Sequence, residues 1–465
     1  MTPLLLALPF AWAAHWVKTW GHDTTFALCF IAMIPLQKIF DWGGEQLGEF
    51  LKEDLRDLVV ITLSNAVEAT LSIILLLKCE LRLLQSTIVG VVLLHLLLIP
   101  GMPIFLSGAR HHDQPLHAQH ASVNTTLLMV GVLSMLVPTA LFAALDRGSS
   151  NSGQSDSNSG LPPAFVPLVS DTVRRDILSM SRGISVVLIV AYIVSRIYHH
   201  GVLPSTRTRK LAPPARRPST LTFSQSPARP AASRANTSEP LLASKTTMPV
   251  HPWASFILLV VAVALMAPTA EFLVSSIEDV QETSGIQTEW FGLILLPVLS
   301  FSGDGVVAIH KFLIRTHNDL KATFRSKRGG CDSGLSTAEQ EGDDEESLDQ
   351  EFAHARPIDL SIQFTLWWMP FLVLLGWWTD RPMHLLFDYF EVAVLFGASF
   401  LVICVLSDSK TNMSEGLNMV SFYVMIAIAT WFYPGQPQIE YMLNCPGSVA
   451  EAVARAAGGM GELAP

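Results

Sequence analysis

Leu58-Val59-Val60-Ile61-Thr62-Leu63-Ser64-Asn65-Ala66-Val67-Glu68-Ala69-Thr70-Leu71-Ser72 runs on through Ile73 to Leu77, and a single carboxylate, Glu68, interrupts the middle of it. The run has the roughly 20 residues needed to cross a bilayer. A carboxylate at mid-depth of such a segment is costly in lipid and persists where it faces a polar pathway, a proton or a cation. An acid at a span end would instead reach for the headgroups, but Glu68 is central in its run. Ser64, Asn65 and Thr70 beside it carry uncharged side-chain oxygens, the chemistry of a hard-cation or proton site.

The rest of the chain fits that setting. Of 465 residues, 50% are hydrophobic and only 15% charged, where a soluble chain carries about a quarter charged. Windows of roughly 20 residues predict about eleven spans, near 3–20, 24–42, 57–78, 83–107, 123–146, 182–200, 252–276, 287–312, 358–378, 384–406 and 414–434. The first has neither the basic start nor the cleavage site of a signal peptide and reads as a peripheral span. The expected fold is therefore an all-α polytopic membrane protein. The lipid bilayer is its surroundings, and no nucleic-acid partner is expected.

Three segments differ. Residues 147–170 are rich in Ser, Gly and Asn. Residues 201–250 are rich in Pro, Ser, Thr and Ala, with eight Lys or Arg and one acid, Glu239, and cannot bury a core. Residues 325–356 begin basic and turn acidic through Glu339, Glu341 and Asp343 to Glu346, reading as a solvated loop inserted in the second half. Basic residues near the spans place Lys38, Lys52, Arg56, Arg110, Arg207 to Arg217 and Lys311 to Arg325 on one side. The positive-inside rule then predicts a cytosolic amino terminus and a luminal carboxyl terminus. The expected organisation is a first span at 1–24, a repeat at 25–200, a basic cytosolic linker at 201–250, a second repeat at 251–434 and a tail at 435–465.

The second half holds a counterpart to Glu68. Asp304 interrupts Phe291 to Ile309, with Ser300 and Ser302 before it and Pro297, Gly303 and Gly305 around it. The third and eighth spans cross in opposite directions, which is inverted-repeat geometry with two acids near the midplane. The five cysteines show no paired spacing, so neither a disulfide framework nor a zinc site follows from them. His111, His112, His117 and His120 fit no closed zinc pattern. No nucleophile or phosphate loop points to an enzyme.

Taken in order, several short motifs resemble the calcium/proton exchangers of the cation/proton exchanger family, within the calcium/cation antiporter superfamily. They are Phe30 to Leu36, Ser64-Asn65-Ala66-Val67-Glu68, Arg82-Leu83-Leu84-Gln85-Ser86 with Gly90, Ser181-Arg182-Gly183, Ala270 to Val274, Gly292 to Pro297, Ser361-Ile362-Gln363 and Pro370 to Trp377. The resemblance implies eleven spans, a peripheral first helix and two inverted five-helix repeats. It implies exchange of Ca2+, or a related divalent cation, for H+ across a vacuolar or other endomembrane, with no cofactor beyond the transported ions. By position, Glu68 and Asp304 would be the paired metal and proton carboxylates, and Asn65, Gln85, Gln363 and Ser361 their polar partners. Glu271 would lie near the ion route. His95, a lone histidine among leucines, is either a ligand or proton relay, or an interhelix hydrogen-bonding group. The second-repeat motif Gly-Asn-Ala-Ala-Glu-His stands here as Ser300-Phe301-Ser302-Gly303-Asp304-Gly305. The alternative reading is accordingly a transport-inactive paralogue acting as a scaffold or regulator through its cytosolic loops. Protein partners and a homo-oligomer are left open.

Overall fold

The computed structural model describes residues 5–17, 21–51, 53–108, 114–115, 118–151, 169–199, 252–299, 301–302, 356–407, 410–445 and 447–454. Nearly everything described is helical. The one sheet among the described residues is an antiparallel pair of two-residue strands, Gln114–Pro115 against Lys410–Thr411. Eight helices among the described residues are long and apolar enough to span a membrane, and a bent pair brings the number to nine. The expected first span is a ten-residue helix, Ala7–Trp16. The expected eighth is a shorter apolar helix, Thr288–Leu299. Of the segment 147–170, residues up to Asn151 continue the helix Ala118–Asn151. The linker 201–250, Asp304 and the acidic-basic segment up to residue 355 lie outside the described residues.

Polarity is turned inside out, as a bilayer requires. Large apolar side chains point outward, among them Val187, Val260, Phe400 and Ile428, while Asn65, Glu68, Gln85, Gln363 and Glu391 are buried. Such outward faces suit lipid.

The span that opened the sequence is not one straight helix. Helix Glu53–Ser64 ends, Asn65 takes a non-helical backbone, and helix Ala66–Lys78 starts again at a bend of 52°. A break in lipid is tolerated only where its freed backbone groups find partners. Gln37 supplies one: its Nε2 donates to the Ser64 carbonyl at 3.1 Å.

Three other helices carry a one-turn π segment, at Leu94–Leu98, Phe291–Leu295 and Phe364–Trp368. Each is followed two residues on by a proline, Pro100, Pro297 and Pro370. Proline lacks an N–H and its ring crowds the carbonyl four residues back. That carbonyl belongs to Leu96, Leu293 or Leu366, inside the π turn each time. The wider turn makes room for the ring. The Leu293 carbonyl then faces Gly90 on the neighbouring helix, where an added Cβ would collide with it and with Pro297. Gly292 likewise leaves only 2.5 Å between a would-be Cβ and that of Ser86. These contacts lock the helix beginning at Leu81 to the one beginning at Thr288.

Two expectations are corrected. The span expected from 384 begins at Tyr389, because residues 384–388 form a buried, irregular strap. Side chains take up its backbone: Gln85 Nε2 donates to the carbonyls of His384 and Leu386, Ser181 Oγ accepts from Leu385 N, and Thr139 Oγ1 accepts from Phe387 N. The cysteines also yield more than their spacing suggested. Cys79 and Cys445 form a disulfide across 366 residues, a separation that no short spacing rule detects. It ties the tail, with its helix Pro437–Leu443, to the end of the span that carries Glu68.

Candidate functional site

The helix break builds the site. Ala66–Lys78 starts immediately after Asn65, so Glu68 lies in its first turn. Unpaired backbone N–H groups and the helix dipole favour a negative charge there. Glu68 is 3% exposed and Asn65 fully buried. Asn65 Nδ2 donates to Gln363 Oε1 at 2.8 Å, and Gln363 Nε2 donates to Thr62 Oγ1 at 2.8 Å. Two halves of the chain, 298 residues apart, thus meet at the break.

With the amide nitrogens turned to protein, oxygens remain. Asn65 Oδ1, Gln37 Oε1 and Ser72 Oγ are buried and have no hydrogen-bond partner among the described residues. Ser72 lies one turn beyond Glu68 on the same helix face. Buried polar atoms are rarely left unpaired. A carboxylate with several orphaned neutral oxygens is a donor set suited to a hard cation, and the same carboxylate can carry a proton instead. Gln37 and Ser72 were not singled out by the sequence. Gln37 follows Pro35 within its own span, and only the break shows what it serves.

The other expected residues fall in different places. Ser361 is buried beside Gln363, with its hydroxyl on the Pro357 carbonyl of its own helix at 3.2 Å. His95 is buried in the first π turn, its Nδ1 2.8 Å from the Val91 carbonyl. Gln85 holds the 384–388 strap, and its Oε1 has no partner among the described residues. Glu271 is 53% exposed and ion-paired to Lys78 at 2.8 Å, so it stands at the rim of the bundle, away from the break. Asp304 lies outside the described residues. Among the described residues no group of three or more His, Cys, Asp or Glu could hold a metal by itself, so a cation site here draws on neutral oxygens as well as Glu68.

A second polar centre sits near the disulfide end. Arg82 Nη2 is 3.1 Å from Glu289 Oε1 and 2.9 Å from Asp388 Oδ2. Ser86 Oγ donates to Glu391 Oε1 at 2.5 Å. The sequence reading missed Glu289, Asp388 and Glu391. The available signal was three acids at the starts of two predicted spans, on the level of Arg82.

The profile of the sodium/calcium exchanger protein family matches residues 24–199 and 254–320, more than half of the chain. The chain belongs to that family. This exchanger-family chain is 28% identical to a "Vacuolar calcium ion transporter" of Cryptococcus neoformans var. grubii, over 96% of this chain and 75% of that one. It is 25% identical to a "Ca(2+)/H(+) antiporter" of Synechocystis, over 93% of this chain and 96% of that one. Among solved structures, its fold resembles "Structure of native YfkE" with a TM-score of 0.61 at 17% identity, covering 92% of this chain and 98% of that one. It also resembles "Crystal Structure of H+/Ca2+ Exchanger CAX" with a TM-score of 0.55 at 11% identity, covering 98% and 91%.

Proposed function

We propose that the chain is a secondary active antiporter exchanging Ca2+ for H+ across a vacuolar membrane. The observation that carries this reading is the buried Glu68 in the first turn after a helix break, with the neutral oxygens of Asn65, Gln37 and Ser72 buried without partners among the described residues. The names of its relatives favour antiport over a transport-inactive scaffold.

In the mechanism, Glu68 is the exchanged ligand. Ionised, it supplies negative charge to Ca2+, and the oxygens of Asn65, Gln37 and Ser72 complete part of the shell. Hard cations take six to eight oxygens, so Asp304 and solvent or backbone oxygens supply the remainder. A proton arriving at Glu68 removes its charge and weakens the hold on the metal. Gln363 holds the Asn65 amide nitrogen, which leaves Oδ1 available as a ligand. Proton and metal thus compete for one carboxylate, and the proton gradient drives the metal across.

The amino terminus faces the cytosol and the carboxyl terminus the lumen. The Cys79–Cys445 disulfide supports this assignment, because such bonds persist on the oxidising side of a membrane. Calcium uptake by proteoliposomes with an acidic interior tests the function, with E68Q as the variant that should lose it.

A further inference from the structure

Arg82, Glu289, Asp388 and Glu391 form a buried group apart from the helix break. Side-chain exposure is 11% for Arg82, 6% for Glu289 and 0% for Asp388, and Glu391 is 1% exposed. Three carboxylates share one guanidinium. Burying uncompensated charge costs several kcal/mol per ion, so the partners of each acid decide which stays ionised.

Asp388 is saturated. Its Oδ1 accepts from Tyr433 Oη at 2.6 Å and from Phe390 N at 2.9 Å, and its Oδ2 accepts from Arg82 and from Gln436 N at 3.0 Å. Glu289 accepts from Arg82 Nε at 3.1 Å. Glu391 has far less. Its Oε1 accepts one hydroxyl, that of Ser86, and its Oε2 is buried without a partner among the described residues. Arg82 gives Nε and Nη2 to the other two acids, and its buried Nη1 makes no hydrogen bond among the described residues, so Glu391 feels the guanidinium charge without a bond to it.

Among the described residues the surroundings offer Glu391 no further cation. His384, from the strap, is fully buried, and burial first and the Arg174 charge second hold its imidazole down to about 3, so it is neutral. His95 bonds to its own helix. Residues 125–145, which pack alongside, hold no titratable side chain. On the helix Met413–Trp431, Tyr423 lines a hollow with Trp290, and Glu415 caps the helix start. A metal ion is disfavoured by the guanidinium amid the acids. A proton is the occupant that cancels the extra charge and uses the bare oxygen.

We propose that Glu391 is a second proton-binding carboxylate, separate from Glu68 and loaded from the disulfide side of the membrane. Tyr433, half-buried, and Asp388 mark the approach from that surface. Ser86 carries the occupancy inward, because it packs on Gly292 at the helix contact locked by Gly90. The link to transport rests on the antiport reading above. The proton site itself does not.

Infrared difference spectra of the purified full chain, titrated with acid in the absence of Ca2+, test the site. The wild type should show a protonated-carboxyl C=O band that E391Q loses and E68Q keeps. S86A removes the one donor to the ionised form, so the same band should persist to higher pH in that variant. This second readout stands if E391Q fails to fold. A full-intensity band in E391Q, or an unmoved titration in S86A, would overturn the assignment. Wild-type chain without calcium uptake but with the Glu391 band would sink the antiport reading alone, and normal uptake without that band would sink this proposal alone.

Discussion

The distinction between Asn65 and Glu68 is one of energy scale. The Asn65–Gln363 bond joins two membrane helices, and such bonds contribute about 0.6 to 1.7 kcal/mol. N65A should therefore lower thermal stability only slightly, while calcium uptake falls at least tenfold because an ion ligand and its positioning are both lost. A comparable loss of stability and activity together, measured by unfolding and flux on one preparation, would contradict this. Glu80 gives a pH-dependent counterpart outside the spans. Burial first, and then its hydrogen bond and charge contact with Glu278, push its carboxyl from 4.5 up to about 7. The folded state thus binds this proton more tightly than the unfolded chain, so folding loses stability as pH rises from 4.5 through 7. E80Q should raise the melting temperature above pH 7 and leave it unchanged below 4.5. An effect confined to acid would reverse the sign and contradict the assignment.

Among elements, the sequence foretold the placement of helices far better than their interruptions. Hydropathy located the apolar segments because burial in lipid depends on composition over a whole turn or more. It could not show the break at Asn65, which depends on Gln37 and Gln363 from other helices. The π turns precede Pro100, Pro297 and Pro370, so their cause was present in the sequence, yet proline alone predicts either a kink or a wider turn. The strap at 384–388 reads as apolar and so predicts helix, since its satisfaction by Gln85, Ser181 and Thr139 is a matter of tertiary placement. Glu68, Asn65 and Gln363 were legible as candidate site residues from pattern and resemblance, whereas the Arg82 group needed three segments brought together. One contact here is directly testable. G90A would push a methyl into the Leu293 carbonyl and Pro297, and overpacking of this kind costs about 1–3 kcal/mol. A melting temperature equal to that of wild type would show that the two helices are not in close contact.

For the whole molecule, orientation and function are joined through the disulfide. Cys79 and Cys445 lie at the end where Arg82, His384 and Tyr433 also gather, and this end should face the lumen. In intact right-side-out vacuoles treated with a permeant reductant, a membrane-impermeant thiol reagent should label Cys445 only after the vesicles are opened. Labelling in closed vacuoles would put the tail in the cytosol and reverse the orientation. The net charge of -10 says little about transport by comparison with one buried carboxylate, because exposed charge is screened while Glu68 is not.

The central claim is that Glu68 exchanges Ca2+ for H+. The most direct measurement is calcium uptake into proteoliposomes holding purified chain, with an acidic interior, before and after a protonophore collapses the gradient. Gradient-dependent uptake in the wild type, abolished in E68Q, is the expected result. Uptake that ignores the gradient, or an E68Q variant that transports as well as the wild type, would contradict the account.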